Sequence, residues 1–299
     1  MTLLILGNGF DIALGLKTSY SDFLASPEFE IDRSYGLYEK LRSHSPQNWI
    51  DIELIIKSHS QHTVGTSKEI PNYGRTEQQK MKEIAAPFEK EYRLLKTQLE
   101  SYLRRIMAEA RDTLHGKELF MNYAKSVLEP DKDLKIITFN YTGTAKKVFG
   151  DIAGVQICEI HNSIGNDIIF GVQDLNNEIH SEHAFILKES AANFGKNFDV
   201  RELETATKII FYGYSLGETD FYYFQKFFKK IANSDKRQNI EITIFYYSAN
   251  GSDPHYNDAK TAIDVNLKKM LGSNLANFKQ NCNFNFKPTS WLRETFEVK

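Results

Sequence analysis

The chain holds only two cysteines in 299 residues, Cys158 and Cys282, and no CxxC pair. A disulfide framework and a structural zinc site are therefore not expected, and each cysteine reads as part of a strand in a protein kept reduced. Charge of one sign is also missing: 37 basic and 39 acidic residues leave a net charge of −2. No global field draws such a chain to nucleic acid or to an anionic membrane. No apolar run approaches the roughly 18 residues of a membrane-crossing helix, and the N-terminus has neither the basic region nor the cleavage site of a signal peptide. A soluble, cytoplasmic protein without membrane contact is expected. Internal repeats and low-complexity tracts are absent as well.

What the chain does have is aromatic residues, 21 Phe and 15 Tyr, which suit a well-packed globular core. It also has a distinctive opening. Leu3-Leu4-Ile5-Leu6 is wholly apolar and stops at Gly7-Asn8-Gly9-Phe10-Asp11, the pattern of a strand buried on both faces that feeds a tight turn. Two glycines allow backbone N–H groups to approach a phosphate, and a helix starting there adds its positive dipole end. The third glycine of a dinucleotide fingerprint would fall at Ile12, and no acidic residue ends a second strand about 20 residues on. An ordinary dehydrogenase is thus not expected. A turn without ligand stays open, and Asp11 can cap the following helix, touch a ribose, or do both.

Farther along, a loop-rich stretch leads to a short helix around Tyr35, Tyr38 and Leu41. Trp49-x-Asp51-x-Glu53 reads as a helix opening with Ser45 or Asn48 as cap, its two acids favouring the helix dipole. Residues 57–76 read as a long polar loop; His59 and His62 lie in it with no carboxylate or cysteine at a familiar metal spacing, so no metal site is assigned. Met81, Ile84, Phe88, Tyr92, Leu95, Leu99, Leu103 and Ile106 recur every three or four residues and predict a long amphipathic helix over 77–111. A second helix is expected over 119–128, ending near Pro130. Beyond it come β-rich runs at 134–139, 155–160, 208–212 and 240–246, with helical patterns at 219–231 and 256–271. Strands alternating with helices predict an α/β, Rossmann-like fold: a largely parallel sheet flanked by helices. Residues 1–24 and 130–299 are expected to form that core, with 25–129 a mostly helical insertion after the first strand-turn-helix unit.

In open parallel sheets ligands sit beyond the C-terminal ends of the strands. The expected strands deliver there Gly7-Asn8-Gly9-Phe10-Asp11, Asn140-Tyr141-Thr142, His161-Asn162-Ser163, and Gly213-Tyr214-Ser215-Leu216-Gly217 with Glu218 and Asp220. Each has a plain explanation alone: a loop pin, an interior histidine, a strand stop, a first-turn acid. Together they predict a site at one sheet edge.

These motifs, with Gly15-Leu16-x-Thr18-x-Tyr20-x-Asp22-Phe23, resemble in order and over nearly the whole chain the AbiH-type bacteriophage abortive-infection family. The set also resembles, more distantly, the NAD-binding core of sirtuin-type proteins. That resemblance implies that Gly7, Asn8 and Gly9 cradle the phosphates of NAD, and that Asp11, Asp22 and Phe23 border the nicotinamide-ribose pocket. Asn140 would orient ribose or water, His161 would be the general base, and Gly213 and Ser215 would meet the adenosine half. Phe10, Tyr141 and Asp220 complete the implied nucleotide-facing set. Asn162 stands where the sirtuin-type pattern has glycine, and Thr142 where it has aspartate. The zinc cysteines of deacylating sirtuins are missing, so protein deacylation is not implied.

The expected chemistry is cleavage of the N-glycosidic bond of NAD, as substrate and with no prosthetic group, by His161, Asn140 and Asp11. An imidazole suits a base that must work near neutral pH. Two other readings remain: a divalent-metal nuclease or phosphohydrolase using Asp11, Asp22, Asp51, Glu53 and Asp220, and a nucleotide-sensing or partner-binding module whose long helix is the contact surface. A phage-derived trigger, a regulatory protein and a second copy of the chain are the candidate partners besides the nucleotide.

Overall fold

A computed structural model of the chain describes residues 1–30, 36–44, 51–69, 71, 73–110, 114–131, 133–174, 176–247 and 256–296. Tyr35, Trp49, Arg111 and the caps expected at Ser45 and Asn48 lie outside them. The chain divides into two compact units, one made of Met1–Leu16, Ala110–Ser163 and Gly195–Lys299, the other of Lys17–Glu109 and Ile164–Phe194.

Among the described residues the first unit is built on six strands: β1 (Thr2–Leu6), β2 (Leu134–Thr138), β3 (Val155–Glu159), β4 (Lys208–Tyr212), β5 (Glu241–Tyr246) and β6 (Asn283–Pro288). They lie in the order β3-β2-β1-β4-β5-β6, every pair parallel. Parallel strands need helical crossovers, which cover both faces and favour unbroken apolar runs such as that of β1, buried at all five positions. On one face Leu4, Leu6, Ile136 and Tyr212 pack with Phe10, Phe120 and Phe149. On the other, Phe211 meets Phe224 and Phe228 of the helix Phe221–Ala232, with ring centroids 5.2 and 6.2 Å apart. This is a Rossmann-like arrangement whose strand order reverses between β1 and β4, the place where a crevice can form.

β6 is not among the β-rich runs expected from the sequence, although Cys282 beside it was read as a strand residue. Among the described residues it pairs only with β5, and it alternates Phe284 and Phe286 with Asn283, Asn285 and Lys287, the mixed pattern of an edge strand rather than of a central one. Cys282, read as a strand residue, instead ends the helix Leu275–Asn281 just before β6, while Cys158 lies within β3.

The second unit is mainly helical. Its longest element, Glu77–Ala110, buries Met81, Phe88, Tyr92, Leu95, Leu99, Leu103 and Ile106; Ile84 is half-exposed and Ala85 takes the buried place beside it. The helix Gly36–His44 buries Tyr38 and Leu41, and the Leu37 N–H at its start donates to Glu91 Oε2 at 2.9 Å. The polar loop expected over 57–76 is a helix as far as Ser67, spanning Ile52–Ser67. Several of its hydroxyls are satisfied within the helix: Thr63 donates to the His59 carbonyl, Thr66 to that of His62 and Ser67 to that of Val64. Polar composition therefore does not break it. Asp51 is its cap, accepting the Leu54 N–H at 3.1 Å. Among the described residues no helix is long and apolar enough to cross a membrane.

Candidate functional site

The strand ends of the first unit are in register. Leu6 aligns with Thr138 on β2 and with Tyr212 on β4, and Thr138 aligns with Glu159 on β3. The ladder continues one step, with Phe139 N–H donating to the Leu6 carbonyl and Ile160 N–H to that of Thr138, both at 2.9 Å. Asn8, Asn140 and His161 therefore leave three adjacent strands at one level. With neighbouring strands about 4.8 Å apart, their backbones span roughly 10 Å, less than the length of an extended dinucleotide.

At the reversal point the two glycine turns are packed onto each other. Gly7 N–H donates to the Tyr212 carbonyl at 3.1 Å and Gly9 N–H to that of Gly213 at 2.9 Å. A Cβ on Gly9 would lie 2.6 Å from Gly213 Cα, and one on Gly213, whose φ is 62°, would lie 2.4 Å from the Phe10 nitrogen. Only glycine fits either place. The amides of Gly7 and Gly9 are thus committed to β4 and its turn, so the glycines here serve backbone approach between turns. Phe10, implied to face a nucleotide, is fully buried between Phe120 and Phe149. Asn8 is exposed, and Gly213 and Ser215 are half-buried. The Ser215 carbonyl accepts from Asn266 Nδ2 at 2.9 Å, and the next residue, Leu216, holds a strained φ of 55°.

Asp11 sits in the first turn of the helix Asn8–Ala13 and is 1% exposed. Its Oδ2 accepts from the Thr142 hydroxyl at 2.7 Å and its Oδ1 from that of Thr144 at 2.5 Å. Burial pushes its carboxyl up from 3.8 to about 6, against the pull of hydrogen bonds from Thr144, Thr142 and Asn140. Asn140 also donates through Nδ2 to the Gly7 carbonyl at 3.1 Å, tying the end of β2 to that of β1.

His161 is 3% exposed. The Phe139 ring meets it edge-on at 5.2 Å and the Tyr141 ring lies nearly parallel to it at 5.9 Å. Its Nε2 is 3.5 Å from Asp220 Oδ1. Asp220 stands at the N-cap position of the helix Phe221–Ala232, and Tyr223 from that helix comes within 6.3 Å of the imidazole. Asn162 follows with φ 58°, left-handed backbone that asparagine tolerates better than most residues. Its Oδ1 accepts from Asn197 Nδ2 at 3.2 Å.

The other candidates belong to the second unit. Asp22 accepts the Ser19 hydroxyl at 2.5 Å and donates its N–H back to that oxygen at 3.0 Å, a helix-start motif. Phe23 is buried against Phe29 and Tyr102. Asp51 is the cap already described, and Glu53 Oε2 lies 3.0 Å from Lys188 Nζ, both side chains buried. The carboxylates of the metal reading are thus divided among separate local roles. Among the described residues no group of three or more His, Cys, Asp or Glu side chains could hold a metal ion. His59 packs edge-on to Phe88, as does His183, whose Nδ1 is 2.8 Å from the Ser60 hydroxyl. Burial lowers both imidazoles to about 4.

Sequence reasoning did not single out Thr144, Tyr223, Lys188 or His183. Thr144 had one visible signal, its spacing from Thr142 across Gly143; the other three gain their meaning only from partners far away in the chain.

A family model described as Bacteriophage abortive infection AbiH matches residues 3–246. That is well over half of the chain, which therefore belongs to this family, whose description is one of anti-phage abortive infection. Among curated proteins none matches the chain.

Proposed function

We propose that this member of the AbiH abortive-infection family acts by hydrolysing the N-glycosidic bond of NAD to nicotinamide and ADP-ribose. The observation that carries the reading is the placement of His161. It is a buried imidazole at a strand end, restrained by Phe139 and Tyr141, with a carboxylate 3.5 Å from Nε2, level with Asn140 and Asn8. In this mechanism the bond from ribose C1′ to the nicotinamide nitrogen breaks and its electron pair leaves with nicotinamide. Water adds to C1′ and its proton passes to the His161 imidazole, while Asp220 favours the imidazolium that results. Asn140 orients the water or the ribose. Asn8, exposed where the glycine amides are already engaged, meets the phosphates, and Gly213 and Ser215 border the adenosine half. Such an activity must be silent in an uninfected cytoplasm, so the reading includes an off-state released by a phage-derived trigger, by a regulatory protein, or through assembly of several copies.

The test is incubation of the purified chain with NAD, with and without phage lysate, followed by product analysis. His161→Ala and Asn140→Ala are expected to lower turnover by on the order of 100-fold or more with circular dichroism unchanged. NAD left intact under both conditions, with the two variants still active against phage, would sink the reading. A second reading is nucleotide or partner binding without turnover. Calorimetric binding of NAD with no nicotinamide released would select it.

A further inference from the structure

We infer that Asp11 is a positioning residue: it fixes the turn 140–144 after β2 and through that turn the amide of Asn140, without itself touching substrate. The inference rests on the reading of Asn140 as the group that orients the nucleophile. Both carboxylate oxygens are used inside the protein, one by Thr142 and one by Thr144. The two hydroxyls also lie 3.0 Å from each other, which closes a three-membered polar network. Gly143 stands between them with φ 69°, the left-handed conformation that turns the chain sharply enough for both hydroxyls to face one carboxylate. Asn140, at the entrance of the turn, is a further hydrogen-bond donor to Asp11. It is held from its other side by the Gly7 carbonyl, and its N–H donates to Thr138 Oγ1 at 3.1 Å.

A carboxylate placed to stabilise a ribosyl cation directly must present an oxygen to the ligand. Asp11 presents neither: it is 1% exposed and faces hydroxyls contributed from 131 and 133 residues away. A turn held from both ends in this way has few alternative positions for the Asn140 side chain. A displacement of about 1 Å in a positioned group can lower a rate on the order of 100-fold. Network and amide therefore act as one unit, with Asp11 as its buried anchor.

The experiment uses full-length Thr142→Val, Thr144→Val, Thr142→Ser and Asp11→Asn, read by hydrogen–deuterium exchange and by NAD cleavage with kcat and KM determined separately. Each Thr→Val change is expected to speed exchange over 139–145, to leave 213–217 as in the wild type, and to lower kcat about 10- to 100-fold with KM little changed. Thr142→Ser, which keeps the hydroxyl, should restore both readouts. The inference is overturned if both Thr→Val variants keep wild-type kcat while Asp11→Asn abolishes it, because Asp11 would then act on the sugar itself. It is equally overturned if exchange over 139–145 is unchanged in the Thr→Val variants. That second arm needs no turnover, so it decides the hold on the turn even if the wild type leaves NAD intact and the functional reading fails. Should Asp11→Asn not fold, exchange and kcat in the threonine variants alone decide whether the turn is held in this way.

Discussion

Two buried carboxylates show how differently the two units treat charge. Asp11, in the sheet unit, is met by neutral donors and is pushed up to about 6. Glu53, in the helical unit, has the ammonium of Lys188 at 3.0 Å, with the lysine side chain fully buried. The first arrangement leaves a group that can gain or lose a proton near physiological pH and keep most of its hydrogen bonds. The second fixes a charge pair whose members cannot be separated cheaply. In the sheet unit buried polarity collects at strand ends, where a ligand would be met. In the helical unit it fastens 164–194 to the helix Ile52–Ser67, since Ser60 and Glu53 of that helix bind His183 and Lys188.

The largest expected effect comes from breaking the fixed pair. Lys188→Met leaves Glu53 buried without its cation and is expected to cost about 3–5 kcal/mol, concentrated in the second unit. Glu53→Leu combined with Lys188→Met should recover much of that loss, because the uncompensated charge is gone. Urea unfolding of the single and double variants, with exchange read separately over 52–67 and 134–138, checks both the size and the place of the effect. Equal loss in both segments would erase the distinction between the units.

Acid should move the buried histidines of the second unit and Asp11 of the first in opposite directions. His59 and His183 are lowered from 6.5 to about 4 by burial, so the unfolded chain takes up their protons first. Their contribution is full above about 6.5 and is lost as pH falls toward 4, at roughly 3 kcal/mol each as an upper figure. Asp11 is raised from 3.8 to about 6, so the folded chain holds its proton more tightly. Its ionisation is a cost borne above pH 6 and relieved on acidification toward 3.8, again roughly 3 kcal/mol at most. Between pH 6.5 and 4.5 exchange should rise over 52–67 and 181–186, relative to 8–13. His183→Phe should flatten the first trend and Asp11→Asn the second; variants with wild-type slopes would refute the assignment.

The packed turns of the sheet unit give a smaller effect. Gly213→Ala places a Cβ 2.4 Å from backbone and requires φ 62° of an alanine, so a loss of about 1–3 kcal/mol is expected, with faster exchange at Gly9. The same substitution at Gly65, where a Cβ meets nothing within 4 Å, should leave stability unchanged or raise it slightly in its helix. Equal effects at the two glycines would mean that the turn packing carries no strain.

How much of this could be read in advance differs between the units for a physical reason. β1 was legible because a strand covered on both faces must be apolar at every position, and the long helix because one stripe of it must be. β6 was not, since an edge strand can alternate Phe284 and Phe286 with Asn285 and Lys287. The helix Ile52–Ser67 was hidden by its polar composition, since Thr63, Thr66 and Ser67 bond back within it. The Gly7 and Gly9 turn was visible as a turn, yet its use, approach to Gly213, depends on a residue more than 200 positions away. Likewise nothing local in Asp11 announces Thr142 and Thr144, and no periodicity in 164–194 announces that segment's place beside the helices. Local pattern carries burial and period; partnership across the chain it does not carry.

The smallest effect tests the helix opening of the helical unit that was read from the sequence. Asp51 and Glu53 are two residues apart, yet the fold gives them unlike tasks: Asp51 accepts the Leu54 N–H at 3.1 Å, while Glu53 points to Lys188. Asp51→Ala removes a cap and should cost about 1 kcal/mol, and Asp51→Ser, which keeps an acceptor, should cost a few tenths. Glu53→Ala leaves a buried ammonium and should cost several times as much. Thermal unfolding of the three variants ranks the two acids directly. A ranking in which Asp51 exceeds Glu53 would mean that the start of the helix, and not the buried pair, holds this part of the unit together, and the contrast with Asp11 would then be one of helix capping and not of charge.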